Sequence, residues 1–143
     1  MRLDFLPLYL TRENDMSRRK SIYIPGFKHK NPIPNACVID GVLTSGIILG
    51  IDPQTGEMPA EVQAQCANMF GHVRAIVEAA GGTPDDIVKM TVWLRDPSQR
   101  QSVNDEWIKL FPDHDDRPAR HALPLTADGP SLVQCDVMAV LSR

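Results

Sequence analysis

The clearest signal in the chain is a change of period. From Val88 onward the apolar Val88, Met90, Val92 and Leu94 alternate with Lys89, Thr91, Trp93 and Arg95, the two-residue period of a strand with one buried face. Over residues 60–80 the apolar Val62, Cys66, Met69, Phe70, Val73, Ile76, Val77 and Ala80 instead recur every three or four positions. That spacing makes one stripe of a helix, which Gly81-Gly82 stops. Arg74 and Glu78 stand one turn apart on it as a weak surface pair, and His72 is expected to be solvated.

The remaining elements follow from turn chemistry. Pro25, Gly26, Pro32 and Pro34 make the stretch 25–34 an ordered loop rather than a regular element. Two β-branched runs, 36–39 and 42–48, flank Asp40-Gly41, a dipeptide suited to the positive φ angles of a type I′ hairpin turn. Asp52-Pro53 and Thr55-Gly56 mark a further turn before the long helix. Asp96 as N-cap and Pro97 in the first turn open a second helix whose apolar face is Val103, Trp107, Leu110 and Phe111. A polar loop, 112–118, feeds a strand over 119–125. A last strand spans 132–141, with Val133, Cys135, Val137, Ala139 and Leu141 on one face and Gln134 and Asp136 on the other.

The predicted order is β-β-α-β-α-β-β, which places helices over one face of a mixed sheet. The second face, expected to carry Trp93, Arg120 and Gln134 beside apolar groups, needs cover from another subunit. The 143 residues, 43% of them hydrophobic and 23% charged, suit one domain. It is placed at 21–143, after an N-terminal extension over 1–20 that is expected to be disordered; within it the first fifteen residues read as dispensable.

Charge and cysteine content narrow the partners. A net charge of −3 offers no general attraction for phosphate backbones or anionic lipid, so neither nucleic acid nor membrane is expected as a partner. Cys37, Cys66 and Cys135 are odd in number and widely spaced, with no CxxC pair, which suits a reducing cytoplasm. Nucleophile-elbow, P-loop, dinucleotide and H-E-x-x-H motifs do not occur. His114 among Asp113, Asp115 and Asp116 reads as a solvated loop, so no metal is expected. Arg120 stands out, because it opens a strand outside any charge run and its guanidinium fork can grip a carboxylate in two places. By itself an arginine there reads more readily as a structural ion pair.

Motifs in sequence order change that balance. Leu43-Thr44-Ser45-Gly46, Asp52-Pro53-Gln54-Thr55-Gly56-Glu57, Ala75-Ile76-Val77-Glu78-Ala79-Ala80-Gly81, Asp86-Ile87-Val88-Lys89-Met90-Thr91-Val92, Val103-Asn104 and Arg117-Pro118-Ala119-Arg120 resemble successive motifs of the RidA/YjgF family. The resemblance covers roughly residues 36–141. It implies an α+β, chorismate-mutase-like fold, a mixed sheet with two helices on one face, assembled as a homotrimer around a central barrel with active clefts between subunits. It further implies a cofactor-free deaminase that converts carboxylate-bearing enamines or imines to 2-oxo acids and ammonia. Arg120 would bind the carboxylate, Gly46 would line the cleft through its backbone, and Asn104 matches the family's Val-Asn position.

Departures from the family pattern bear on the chemistry. Gln134 stands where the family's deaminases commonly carry a glutamate that activates water; an amide orients water but takes no proton, and Asp136 follows on the same face. The cysteine usual two residues after the arginine is Ala122, and the family's N-terminal tyrosine is missing from Asn31-Pro32-Ile33-Pro34-Asn35. His121, between Arg120 and Ala122, should point away from Arg120 on an alternating strand. Two alternatives stand beside the general deaminase: a specialised catabolic deaminase of the 2-aminomuconate kind, and a non-catalytic trimeric module that binds 2-oxo acids or a protein partner.

Overall fold

The computed structural model describes residues 17–142; residues 1–16 of the extension expected over 1–20 lie outside them, and its last residue, Lys20, already belongs to the first strand. Within them a single mixed sheet carries β1 (Lys20–Ile22), β2 (Ala36–Ile39), β3 (Val42–Ser45), β4 (Ile48–Leu49), β5 (Ile87–Leu94), β6 (Ala119–Pro124) and β7 (Val133–Val140). Helices α1 (Val62–Ala79) and α2 (Arg100–Leu110) complete the fold. The strand order is β1-β2-β3-β7-β5-β6, with β4 pairing β7. Two strands were not foreseen. β1 is only three residues long, and β4 is split from β3 after Ser45 so that it pairs with the far half of β7 instead.

Local chemistry accounts for the boundaries. Asp40 and Gly41 both take positive φ, 50° and 80°, as the type I′ turn between β2 and β3 demands. Asp52 Oδ1 accepts from the Gln54 and Thr55 amides at 2.8 and 3.1 Å, building the turn ahead of α1. At the other end of α1, Gly81 lies at φ 90° while the Gly82 and Gly81 amides donate to the Val77 and Glu78 carbonyls, a Schellman stop. Asp96 does cap a helical turn, but that turn is a 3-10 segment, Pro97–Gln99, and α2 proper starts at Arg100.

The core lies between the helices and one sheet face: Leu43, Ile48, Met90, Val92 and Val133 meet Cys66, Met69, Val73 and Ile76 there. The alternation expected from Val88 holds at Met90, Val92 and Leu94 and fails only at Val88. A β-bulge between Ile87 and Lys89 sends Ile87 inward and leaves Val88 47% exposed. The packing against α1 is close: a methyl on Gly50 would collide with the Gln65 backbone. Gln65 itself, fully buried on the helix stripe, donates to the Pro59 and Pro130 carbonyls and accepts from the Leu132 amide at 2.8 Å, tying α1 to the entry of β7. No helix among the described residues is long and apolar enough to cross a membrane.

His72 is the clearest correction to the helix reading. It is 3% exposed, not solvated, with Nε2 at 2.7 Å from the Ile51 carbonyl and its ring tilted against Phe27. A carbonyl only accepts, so Nε2 carries the proton and donates it. Burial lowers the pKa of His72 below its ordinary 6.5, opposed by the Ile51 bond and the nearby Asp52 charge. A depressed histidine pKa contributes stability that is complete above the unfolded value and is lost as pH falls through the folded one. Urea unfolding between pH 8 and pH 5 is therefore expected to show stability declining below about pH 6.5, and the decline should be shallower in His72→Gln, whose neutral amide can donate to Ile51. Equal slopes in the two proteins would refute this origin.

Candidate functional site

The site is built on the one parallel strand pair. β5 and β6 run side by side in the same direction, so the chain must cross over between them, and α2 is that crossover. Met90 pairs with Arg120 and Thr91 with His121. Arg120 thus shares the side of the sheet that Met90 faces, under α2, and His121 takes the opposite side, as its place in the alternation predicts.

Beneath α2 the Arg120 guanidinium has three constraints. Its Nη2 donates to Asn104 Oδ1 at 2.7 Å, its Cζ sits 4.8 Å over the centre of the Trp107 ring, and its Nη1 is buried with no partner. Asn104 and Trp107 are three residues apart on α2 and therefore neighbours on one helix face. Burial, and after it the charge of Arg100, lowers the pKa of Arg120 from its ordinary value; an arginine so placed remains a cation. The group opens on a cleft of about 140 Å³ lined by Arg100, Val92, Leu94, Val103, Ala122 and Leu123 among others. That is below the roughly 300–1,000 Å³ of sites for drug-sized ligands. A cation with one free, desolvated donor in a small apolar cleft is suited to the carboxylate of a small molecule.

The other expected site residues lie elsewhere. Gln134 pairs with Trp93 on the open face of the sheet, and it borders a separate groove of about 750 Å³ with residues 25–30 and 128–131. There, His29 Nε2 is buried without a hydrogen-bond partner. Gly46 is half-buried; its amide already donates to the Asn35 carbonyl at 3.0 Å and its carbonyl accepts from the Ser45 hydroxyl at 2.8 Å. It does not border the Arg120 cleft. Asn104 and Arg120 are thus brought together, while Gly46 and Gln134 are not. The expectation that Arg120 shares a face with Trp93 and Gln134 is corrected, because the Met90–Arg120 pairing puts it on the helix side.

Two groups were passed over in the sequence. Trp107 was read only as part of a helix's apolar face, although its spacing from Asn104 would have placed both under one ligand. Arg100 was not singled out at all. The buried thiols do not offer a nucleophile: burial pushes Cys66 up to about 12 and raises Cys135 well above its ordinary value, leaving both protonated. Asp113, His114 and Asp115 hold their ligand atoms within 4.8 Å of one another, but all three are exposed in the loop before β6.

The family model described as Endoribonuclease L-PSP matches residues 34–139. The chain belongs to the RidA/YjgF family. Among its relatives, a 2-iminobutanoate/2-iminopropanoate deaminase of Escherichia coli is 39% identical over 103 residues, 71% of this chain and 79% of the relative. A RutC family protein of Haemophilus influenzae is also 39% identical, over 104 residues, 71% and 78% of the two chains. Among solved structures, E. coli TdcF with bound serine has a TM-score of 0.78 at 28% identity, covering 86% of this chain and 99% of that one. The YjgF gene product of E. coli has a TM-score of 0.76 at 29% identity, covering 85% and 98%.

Arg120→Met separates the charge from the packing. Replacing a half-buried, incompletely paired cation by an apolar side chain of similar reach should raise stability, by about 1 kcal/mol, the low end for buried charges. Small carboxylate ligands should at the same time cease to bind. Denaturant titration and calorimetry read the two effects, and a destabilised variant would mean that Arg120 is a structural prop.

Proposed function

We propose that this protein hydrolyses small carboxylate-bearing enamines or imines to 2-oxo acids and ammonia, as a homotrimer with its sites between subunits and its sheets around a central barrel. The observation that carries the reading is the Arg120 guanidinium, desolvated beneath α2 with Nη1 unanswered. The relative named 2-iminobutanoate/2-iminopropanoate deaminase acts on carboxylate-bearing imines by its name, and serine, bound in TdcF, is itself a carboxylate ligand.

The chemistry asks little beyond orientation. With the substrate carboxylate on Arg120, a water oxygen adds to the C=N carbon while the nitrogen gains a proton. The tetrahedral adduct then breaks its C–N bond, ammonia departs and the carbonyl forms. Asn104 holds the guanidinium in place through Nη2 and keeps its plane turned toward the cleft. No cofactor enters this scheme. Gln134 would orient the water with its amide, with Asp136 two residues on along the same face. Gly46 would contribute only backbone, at the edge of the neighbouring subunit's surface.

Assembly follows from the two faces of the sheet. Arg120 and Gln134 lie on opposite sides, so a ligand touching both must draw them from different chains. The open face also carries Val42 against Val140 and Met138 beside them, 41%, 52% and 42% exposed, a contiguous apolar stretch that a second copy could cover. A second reading, a trimer that binds 2-oxo acids without turnover, draws on Gln134, whose amide cannot accept a proton.

Imines generated by an amino-acid oxidase and trapped with semicarbazide give the test. The protein should speed imine loss, and Arg120→Gln should slow that loss by roughly a hundredfold. Light scattering should return three times the 15.9 kDa chain mass. A monomer, or ligand binding with no turnover of any imine, would overturn the enzyme.

A further inference from the structure

The Arg120 cleft contains more positive charge than one carboxylate requires. Arg100 opens α2 four residues before Asn104, one turn away on the same helix face, and lines the same cleft. Its charge is the second cause, after burial, of the lowered pKa of Arg120. No carboxylate borders this cleft among the described residues. The acids of α2 are engaged elsewhere, Asp105 with Gln101 at 2.8 Å and Glu106 with Lys109 at 3.1 Å. Arg100 has no ion pair among the described residues, and it stands near the start of a helix, where the backbone dipole disfavours a cation. The two like charges repel each other, and although Arg100 is exposed and partly screened by water, no acidic side chain lining the cleft answers either guanidinium.

We infer that the cleft selects ligands with two acidic groups, one held by Arg120 and the other by Arg100, with Arg100 the specificity-determining residue. The rest of the cleft lining is apolar, Val92, Leu94, Val103, Ala122 and Leu123 among it, and suits the short run of carbons that separates the carboxylates of a 2-oxo or 2-imino dicarboxylic acid. The cleft volume of about 140 Å³ favours such a compact diacid over a long one. This inference rests on the reading of Arg120 as a carboxylate site and adds the second contact to it.

Calorimetry with 2-oxoglutarate and 2-oxobutanoate, on the full-length wild type, Arg100→Gln, Arg100→Lys and Arg120→Gln, tests it. The wild type should bind the diacid roughly ten- to a hundredfold more tightly than the monoacid. Arg100→Gln should collapse that ratio toward one, and Arg100→Lys should restore part of it through the retained charge. The ratio of kcat/KM for the matching imines, generated from glutamate and from 2-aminobutanoate, should fall in parallel. If the wild type binds both acids equally, or if Arg100→Gln leaves the ratio intact, this inference fails while the carboxylate site stands. If neither acid binds, or both bind as well to Arg120→Gln, the carboxylate site fails and takes the inference with it. Thermal melts of each variant show whether a lost ratio reflects a lost fold.

Discussion

An arginine sunk between a helix and the edge of a sheet, answered by one amide oxygen and one indole ring, is a position the fold has no thermodynamic reason to favour. Desolvating a guanidinium costs several kcal/mol, and its offset depends on hydrogen bonds to most of its donors. Arg120 has Asn104 on Nη2 and Trp107 beneath it, and Nη1 has nothing. The elements that enforce this arrangement are the ones that define the topology: a parallel β5–β6 pair needs a crossover, the crossover is α2, and α2 supplies both Asn104 and Trp107. Stability alone would favour an apolar side chain in that place. An anion in the cleft would answer the unpartnered Nη1.

The parity of the strands then divides the chemistry between two surfaces. On β6 and β7 successive residues point to opposite sides, and the registers Met90–Arg120 and Trp93–Gln134 assign Arg120 to the helix side and Gln134 to the open side. A shift of one residue in either strand would exchange those assignments and bury a polar side chain in the core, so the division is as firmly set as the core itself. Within one chain Arg120 and Gln134 cannot meet. The exposed apolar residues Val42, Met138 and Val140 lie on the same open face as Gln134, the face that the proposed assembly would cover.

Much of this was legible in the residues. The stripe on α1 and the Asp40-Gly41 turn are local signals, and local signals survive into the fold with ends displaced by a residue or two. What was not legible depends on partners distant in sequence. The Val88 alternation failed by one residue because a bulge is decided by how β5 pairs with β7. His72 was placed in solvent because its own helix shows only a polar residue near the stripe, whereas its burial is made by Ile51 and Phe27 from outside the helix. Arg120 stands on the other face from the one its sequence neighbours suggest. The face follows from a parallel register with Met90 that no spacing within β6 encodes.

The lack of a carboxylate at position 134 matters less than it first suggests. An imine nitrogen is basic, and once protonated it makes its carbon electrophilic enough for neutral water, so the step depends on placement more than on proton abstraction. An amide such as Gln134 can fix a water by donating to it and accepting from it, and does so without adding negative charge near a bound carboxylate. A glutamate in that position would repel an anionic substrate while activating water, and the repulsion grows with each further acidic group on the ligand. In a site shared between subunits, Gln134 from one sheet face and Arg100 with Arg120 from the other would shift the electrostatics in the same direction. On the proposed reading the amide tolerates a more negatively charged substrate, at the expense of a proton acceptor at position 134.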